Sequence, residues 1–173
     1  NKVSGQQIGT NTVIYNGTAS SCFSLGGIAV DSQSNKYIAG SFCPTMGKSE
    51  IRVVKVFGSN YTVHWQLQGN AMNSLNAATK IALDASGSTA YIVGYFGQMT
   101  NIGGTVLAAA GPGSDGFLLA VATSTGTVSW SRTLAGSNGD EQLTHVAFSN
   151  TNYIFVAGYF GAKNVTFGTE VLT

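Results

Sequence analysis

The sequence predicts an all-β fold built from three repeats of antiparallel strands. Three observations predict it. First, one two-strand unit is written three times: Gly27-Ile28-Ala29-Val30-Asp31, a polar turn, then Tyr37-Ile38-Ala39-Gly40-Ser41-Phe42. The second copy is Lys80-Ile81-Ala82-Leu83-Asp84 with Tyr91-Ile92-Val93-Gly94-Tyr95-Phe96, and the third is His145-Val146-Ala147-Phe148-Ser149 with Phe155-Val156-Ala157-Gly158-Tyr159-Phe160. Two apolar runs around a polar turn make a β-hairpin. Second, the 23 glycines fall at strand ends, and no useful window has a 3.6-residue apolar period. Third, the units recur at comparable spacing: Gly40, Gly94 and Gly158 hold the same place in each copy, and the second interval is somewhat longer than the first.

Each element follows from comparing the repeats. Thr62-Val63-His64-Trp65 and Thr127-Val128-Ser129-Trp130 both follow a polar turn, and Trp65 precedes Ile81 by the same interval as Trp130 precedes Val146. Thr12-Val13-Ile14-Tyr15 fits the same slot, with a shorter loop from Tyr15 to Ile28. Upstream of the tryptophans lie the strands Ile51 to Val56 and Gly116 to Val121, and residues 1–6, carrying only Val3, take that place at the N-terminus. A further strand follows two of the hairpins, over 101–107 and 166–172, with shared Gly and Val-Leu placement. The first repeat lacks it, with Pro44 and Gly47 making a tight connection.

About four short antiparallel strands per repeat is the signature of a propeller blade. A single blade cannot bury both of its faces, so neighbours must stack. The chain therefore reads as one domain, 1–173: a half blade over 1–26, repeat one over 27–79, repeat two over 80–144 and a half blade over 145–173.

Composition limits the function. Charged residues are 9% of the chain, against roughly 25% in a typical soluble protein. Solubility rests on Ser, Thr, Asn, Gln and Gly, a surface common outside cells that repels copies of itself only weakly. Net charge is +1 and the eight Lys and Arg are scattered, so no basic stripe is laid out for nucleic acid. No apolar run approaches the roughly 18 residues of a membrane span. The chain begins Asn1-Lys2-Val3, without Met or a signal-peptide core. Either a leader has been removed or the chain is a piece of something longer.

Cys22 and Cys43 flank the first hairpin. If Asp31 lies opposite Lys36, the two thiols fall two positions from direct opposition, close enough to expect a disulfide. The alternative is a pair of buried thiols in a reducing compartment.

No catalytic constellation is present. Asp31 and Asp84 end apolar strands just before turns, where a carboxylate accepts backbone N–H bonds. Asp115 sits in another turn. Asn138-Gly139-Asp140-Glu141 lacks the alternating acidic ligands of a calcium loop. His64 and His145 occupy different slots with no ligand-spaced partner, which argues against zinc. No Gly-x-Ser-x-Gly elbow supports a nucleophilic serine. The expectation is no enzyme, no cofactor and no metal. Three sequons, at Asn16, Asn60 and Asn164, fall near turns or strand ends where a glycan would project into solvent. Trp65, Trp130, Tyr15 and the Tyr/Phe pairs at 95–96 and 159–160 recur at equivalent repeat positions, so they are expected between blades rather than on a sugar-binding groove.

Taken together, Ile-Ala-Val-Asp, a turn, Tyr-Ile-Val-Gly-Tyr-Phe, then Phe-Gly-Thr with Val-Leu, Gly-Ser-Asp-Gly-Phe and Gly-Thr-Val-Ser-Trp resemble the bacterial-type β-propeller repeat called SBBP. The resemblance covers nearly the whole chain. It implies a large secreted or surface protein and carries over no catalytic residue. This chain departs from the pattern in its trimmed first repeat, in Ser149 where the other copies have Asp31 and Asp84, and in its weak N-terminal strand.

The repeat phase bears on function. The chain starts and stops in mid-blade, with the second half of a blade at the N-terminus and the first half at the C-terminus. Closing them within one chain gives three blades, fewer than the 4–8 usual in propellers. Joining halves from different copies gives a head-to-tail ring or filament. The expectation is an extracellular or cell-surface structural protein whose partners are copies of itself. The assembly strands would carry Val3, Val13, Ile14 and Tyr15 at one end and Val165, Phe167, Val171 and Leu172 at the other. The alternatives are a carbohydrate- or surface-ligand-binding propeller module and a fragment of a longer chain.

Overall fold

The computed structural model describes residues 22–45, 47–69, 76–149 and 153–172. Among these, every regular element is a strand and every strand pairing is antiparallel. The chain is all-β over that range. β1 (Cys22–Val30), β2 (Lys36–Thr45), β3 (Lys48–Val56) and β4 (Val63–Gln68) form a sheet in chain order. β5 (Ala77–Leu83) and β6 (Thr89–Phe96) follow, then a small hairpin of β7 (Thr100–Ile102) and β8 (Thr105–Leu107). β9 (Asp115–Ala122) and β10 (Val128–Ala135) complete the second sheet, so β5-β6-β9-β10 repeats the order β1-β2-β3-β4. β11 (Glu141–Phe148) and β12 (Ile154–Phe160) form a third pair. β13 (Val165–Phe167) and β14 (Glu170–Leu172) turn back and extend the second sheet, in the order β14-β13-β10-β9-β6-β5.

The sequence leads one to expect single strands over 101–107 and 166–172. Each is instead a two-strand hairpin. Gly103 (φ 57°) and Gly104 (φ 89°) turn the first, and Gly168 (φ 65°) turns the second. Left-handed backbone at those positions reverses the chain where a strand would otherwise continue. The two hairpins behave alike. Ile102 bridges to Gly69 beyond β4, and Phe167 pairs with Leu134 on β10. Each hairpin thus lies along the last strand of the preceding sheet.

The sheets stack through their first strands, β1 on β5 and β5 on β11. Tyr37, Ala39, Ile81, Ile92, Phe96 and Phe117 belong to the apolar cluster between the first sheet and the second. Val93, Leu118, Leu134, Leu143, Val146 and Val165 make the cluster between the second sheet and β11–β12.

A bulge recurs at one position in all three hairpins. The register slips between Leu25 and Gly27, between Ala78 and Lys80, and between Leu143 and His145. The extra residues are Gly26, Thr79 and Thr144. Such an insertion bends a strand and increases its twist. The first hairpin's register differs from the one the sequence suggests in two steps: the turn puts Val30, not Asp31, opposite Lys36, and the bulge then shifts the pairing once more, so that the backbone of Cys22 faces Cys43. Cys43 is disulfide-bonded, and Cys22 is the one other cysteine of the chain.

The repeated glycine of each second strand follows from the bulge. A Cβ on Gly40 would meet the Ser24 carbonyl oxygen at 2.2 Å; on Gly94 it would meet that of Ala77 at 1.9 Å, and on Gly158 that of Gln142 at 2.0 Å. Only glycine admits so close a backbone approach.

Candidate functional site

The third strand pair differs from its two counterparts. β2 pairs with β1 and β3, and β6 pairs with β5 and β9. Among the described residues β12 pairs only with β11. Its outer edge therefore presents backbone N–H and C=O groups without a strand partner there, the feature that templates pairing with another chain.

The same pair leaves an apolar face open. Phe155 occupies the position of Tyr37 and Tyr91, and Tyr159 that of Ser41 and Tyr95. Tyr37 is fully buried, whereas Phe155 is 61% and Tyr159 51% exposed. The first sheet has the complementary condition on its opposite face. Leu25 is 55% and Ile28 53% exposed, while their counterparts Ala78 and Ile81, and again Leu143 and Val146, are buried.

The other sequence-predicted residues fall as follows. Val165 is fully buried, and β13, which carries it with Phe167, is paired on both sides. β14 is the outermost strand of its sheet, with Val171 and Leu172 exposed. Asn60 and Asn164 are exposed, and Asn60 Oδ1 accepts from the Thr62 hydroxyl at 2.8 Å. Val3, Val13, Ile14, Tyr15 and Asn16 lie outside the described residues. Among the aromatics, Phe96 is fully buried and Trp65 packs beside the first cluster. Trp130, Tyr159 and Phe160 are exposed instead.

The carboxylates serve the fold. Asp31 Oδ1 accepts from the N–H groups of Gln33 and Asn35, and Oδ2 from Asn35 Nδ2 and the Tyr37 hydroxyl, all at 2.8–3.0 Å. Burial alone would raise this carboxyl; the bonds from Asn35, Tyr37 and Gln33 outweigh it and hold the group below its ordinary value. The Tyr37 hydroxyl is pushed up to about 12, first by burial and then by its bond to Asp31. Asp84 accepts in the same way from Ser86 and Ser88. A cleft of about 340 Å³ lies between these two turns, lined in part by Ser32, Ala85 and Gly87. Because both carboxylates already have donors from their own turns, no free acid–base pair lines it. Among the described residues no group of three or more His, Cys, Asp or Glu is placed to hold a metal ion.

Sequence reasoning missed a pair of buried carboxyls. Asp115 is 1% and Glu141 0% exposed. Asp115 accepts from the N–H groups of Ala110 and Gly136, and Glu141 Oε1 from that of Ala162. Burial, with a smaller contribution from the neighbouring Glu141, raises the Asp115 carboxyl above its ordinary value. Glu141 Oε2 is buried without a donor. The only sequence signal was an acid at the start of each of two strands, well separated along the chain.

The chain matches no family model, no curated protein and no solved structure. Among the described residues no helix is long and apolar enough to cross a membrane.

Proposed function

We propose that this chain is an extracellular structural protein of β-propeller type, and that copies assemble head-to-tail by completing one another's third strand pair. The observation that carries the reading is that, among the described residues, β12 has one partner strand where β2 and β6 each have two. In the proposed assembly the segment around Val3 of a second copy takes the place that β3 and β9 hold in the other sheets. Val13, Ile14 and Tyr15 of that copy then take the outer place of β4 and β10. Ladder hydrogen bonds fix the register, and burial of apolar side chains drives the pairing at roughly 25 cal/mol per Å². The low charge fraction of 9% lets copies approach without strong mutual repulsion. The disulfide at Cys43 favours an oxidising compartment.

The test is a chain lacking residues 1–18, compared with the full chain by sedimentation velocity. The full chain is expected to form a concentration-dependent series of oligomers. The shortened chain is expected to stay monomeric and, added at low ratio, to shorten the oligomers of the full chain. Equal assembly of both chains would contradict the reading.

A further inference from the structure

The bulge residues show how one sheet is seated on the next. The Thr79 hydroxyl donates to the Leu143 carbonyl of β11 at 2.7 Å. One interface earlier, Gly26 holds the position of Thr79, and an added Cβ there would lie 2.0 Å from the carbonyl oxygen of Ala78, the counterpart of Leu143. So each sheet sets its bulge residue against the carbonyl just before the bulge of the following sheet. Thr144 is the third bulge residue. Its hydroxyl turns back to the Ala157 carbonyl at 3.2 Å, just as Thr79 also reaches the Val93 carbonyl at 3.2 Å. The other contact of the Thr144 hydroxyl, with His145 Nδ1 at 3.0 Å, stays within β11, so among the described residues Thr144 makes no bond to a following sheet.

Both halves of that interface are present on this chain, at opposite ends of the stack. The donor half is the outward face of β11–β12, with Thr144, Phe155 and Tyr159. The acceptor half is the outward face of β1–β2, with the Leu25 carbonyl and the side chains of Leu25, Ile28 and Val30, all three exposed. Their counterparts in the second and third units are buried or partly buried against the preceding sheet.

We propose that the outward face of β11–β12 docks on the outward face of β1–β2 of a second copy, with the Thr144 hydroxyl donating to the Leu25 carbonyl of that copy. The occupant is a second copy because the contact continues, in the same direction and register, an interface that the chain already makes twice within itself. This rests on the head-to-tail reading above and adds its face, its polarity and its central hydrogen bond. The contact is heterologous, so it propagates rather than stopping at a dimer.

The test uses two variants of the full chain, Ile28→Glu and Phe155→Glu, each placing a charge on one face only. Both sites are exposed, so the fold is expected to tolerate them; matching thermal melts check this. Each variant alone is expected to be monomeric where the wild type forms oligomers. A 1:1 mixture is expected to form a heterodimer and nothing larger, because each copy keeps one intact face. Thr144→Val is expected to weaken wild-type association about tenfold. Variants that assemble like the wild type overturn the proposal, as does a mixture that stays monomeric. If the face variants assemble and the chain lacking residues 1–18 does not, face docking falls while strand completion stands. The reverse pattern keeps face docking and removes strand completion. A wild-type chain that stays monomeric overturns both.

Discussion

The hydroxyl of Thr79 on β5 donates to the carbonyl of Leu143 on β11 at 2.7 Å. The bond joins two strands that share no ladder, so it ties the second sheet to the third pair. A neutral hydrogen bond contributes about 0.5–1.5 kcal/mol, and an unmet partner adds to the loss. Thr79→Val keeps the shape and removes the donor. It is expected to lower unfolding stability by about 1–2 kcal/mol, read as a lower urea midpoint at unchanged slope.

Gly94 faces the Ala77 carbonyl oxygen and lies beside the Phe117 ring. Gly94→Ala is expected to cost about 3 kcal/mol or more, since neither β5 backbone nor the buried ring can give way. Gly158→Ala meets β11 backbone around Gln142 and no buried ring, and is expected to cost less. Chemical denaturation of both variants checks the order, and equal losses would contradict it.

Asp31 organises the first turn with four accepted bonds. Its folded pKa lies below the unfolded value near 3.8. The unfolded chain therefore binds the proton more readily, and the stability from Asp31 is full above pH 3.8 and lost as pH falls through the folded value. Asp31→Asn is expected to cost about 1–2 kcal/mol at pH 7 and to flatten that part of the acid limb. Tyr37 has the opposite sign: raised from 10.0 to about 12, it contributes stability that is full below pH 10 and lost as pH rises through 12. Ultraviolet titration is expected to find it ionising well after an exposed tyrosine.

Asp115 also favours its protonated form in the folded chain. Because the folded Asp115 pKa is raised, the native state binds the proton more tightly, and stability from this group is lost as pH rises from 3.8 through the folded value. Glu141→Gln places an amide where Oε2 lacks a donor and removes the charge beside Asp115. It is expected to raise the melting temperature at pH 7 by a few degrees. A lower melting temperature at pH 7 would contradict the view that the buried, donorless Glu141 Oε2 costs stability.

Much of this architecture was legible because the repeats print the same constraint three times. Gly40, Gly94 and Gly158 marked a position where no side chain fits, and the alternating runs around them gave β1–β2, β5–β6 and β11–β12. The bulge was not legible. Gly26 shares no chemistry with Thr79 and Thr144, and the extra residue shows only in the ladder. The destination of β13–β14 was hidden for a similar reason. Local pattern places Val165 and Phe167 on a strand, but which sheet that strand joins depends on a pairing with Leu134 and Ala135, far back in the chain. The exposed face at Phe155 was also hidden, since its sequence is nearly that of the buried Tyr37 run. Burial there depends on what lies next in the stack.

The most direct test of head-to-tail assembly is sedimentation velocity of the full chain over a hundredfold range of concentration, with negative-stain microscopy of the same samples. The account predicts an open series of oligomers that grows with concentration and appears as rings or filaments with a one-chain repeat. A single monomeric boundary at every concentration, with no ordered particles, would contradict it.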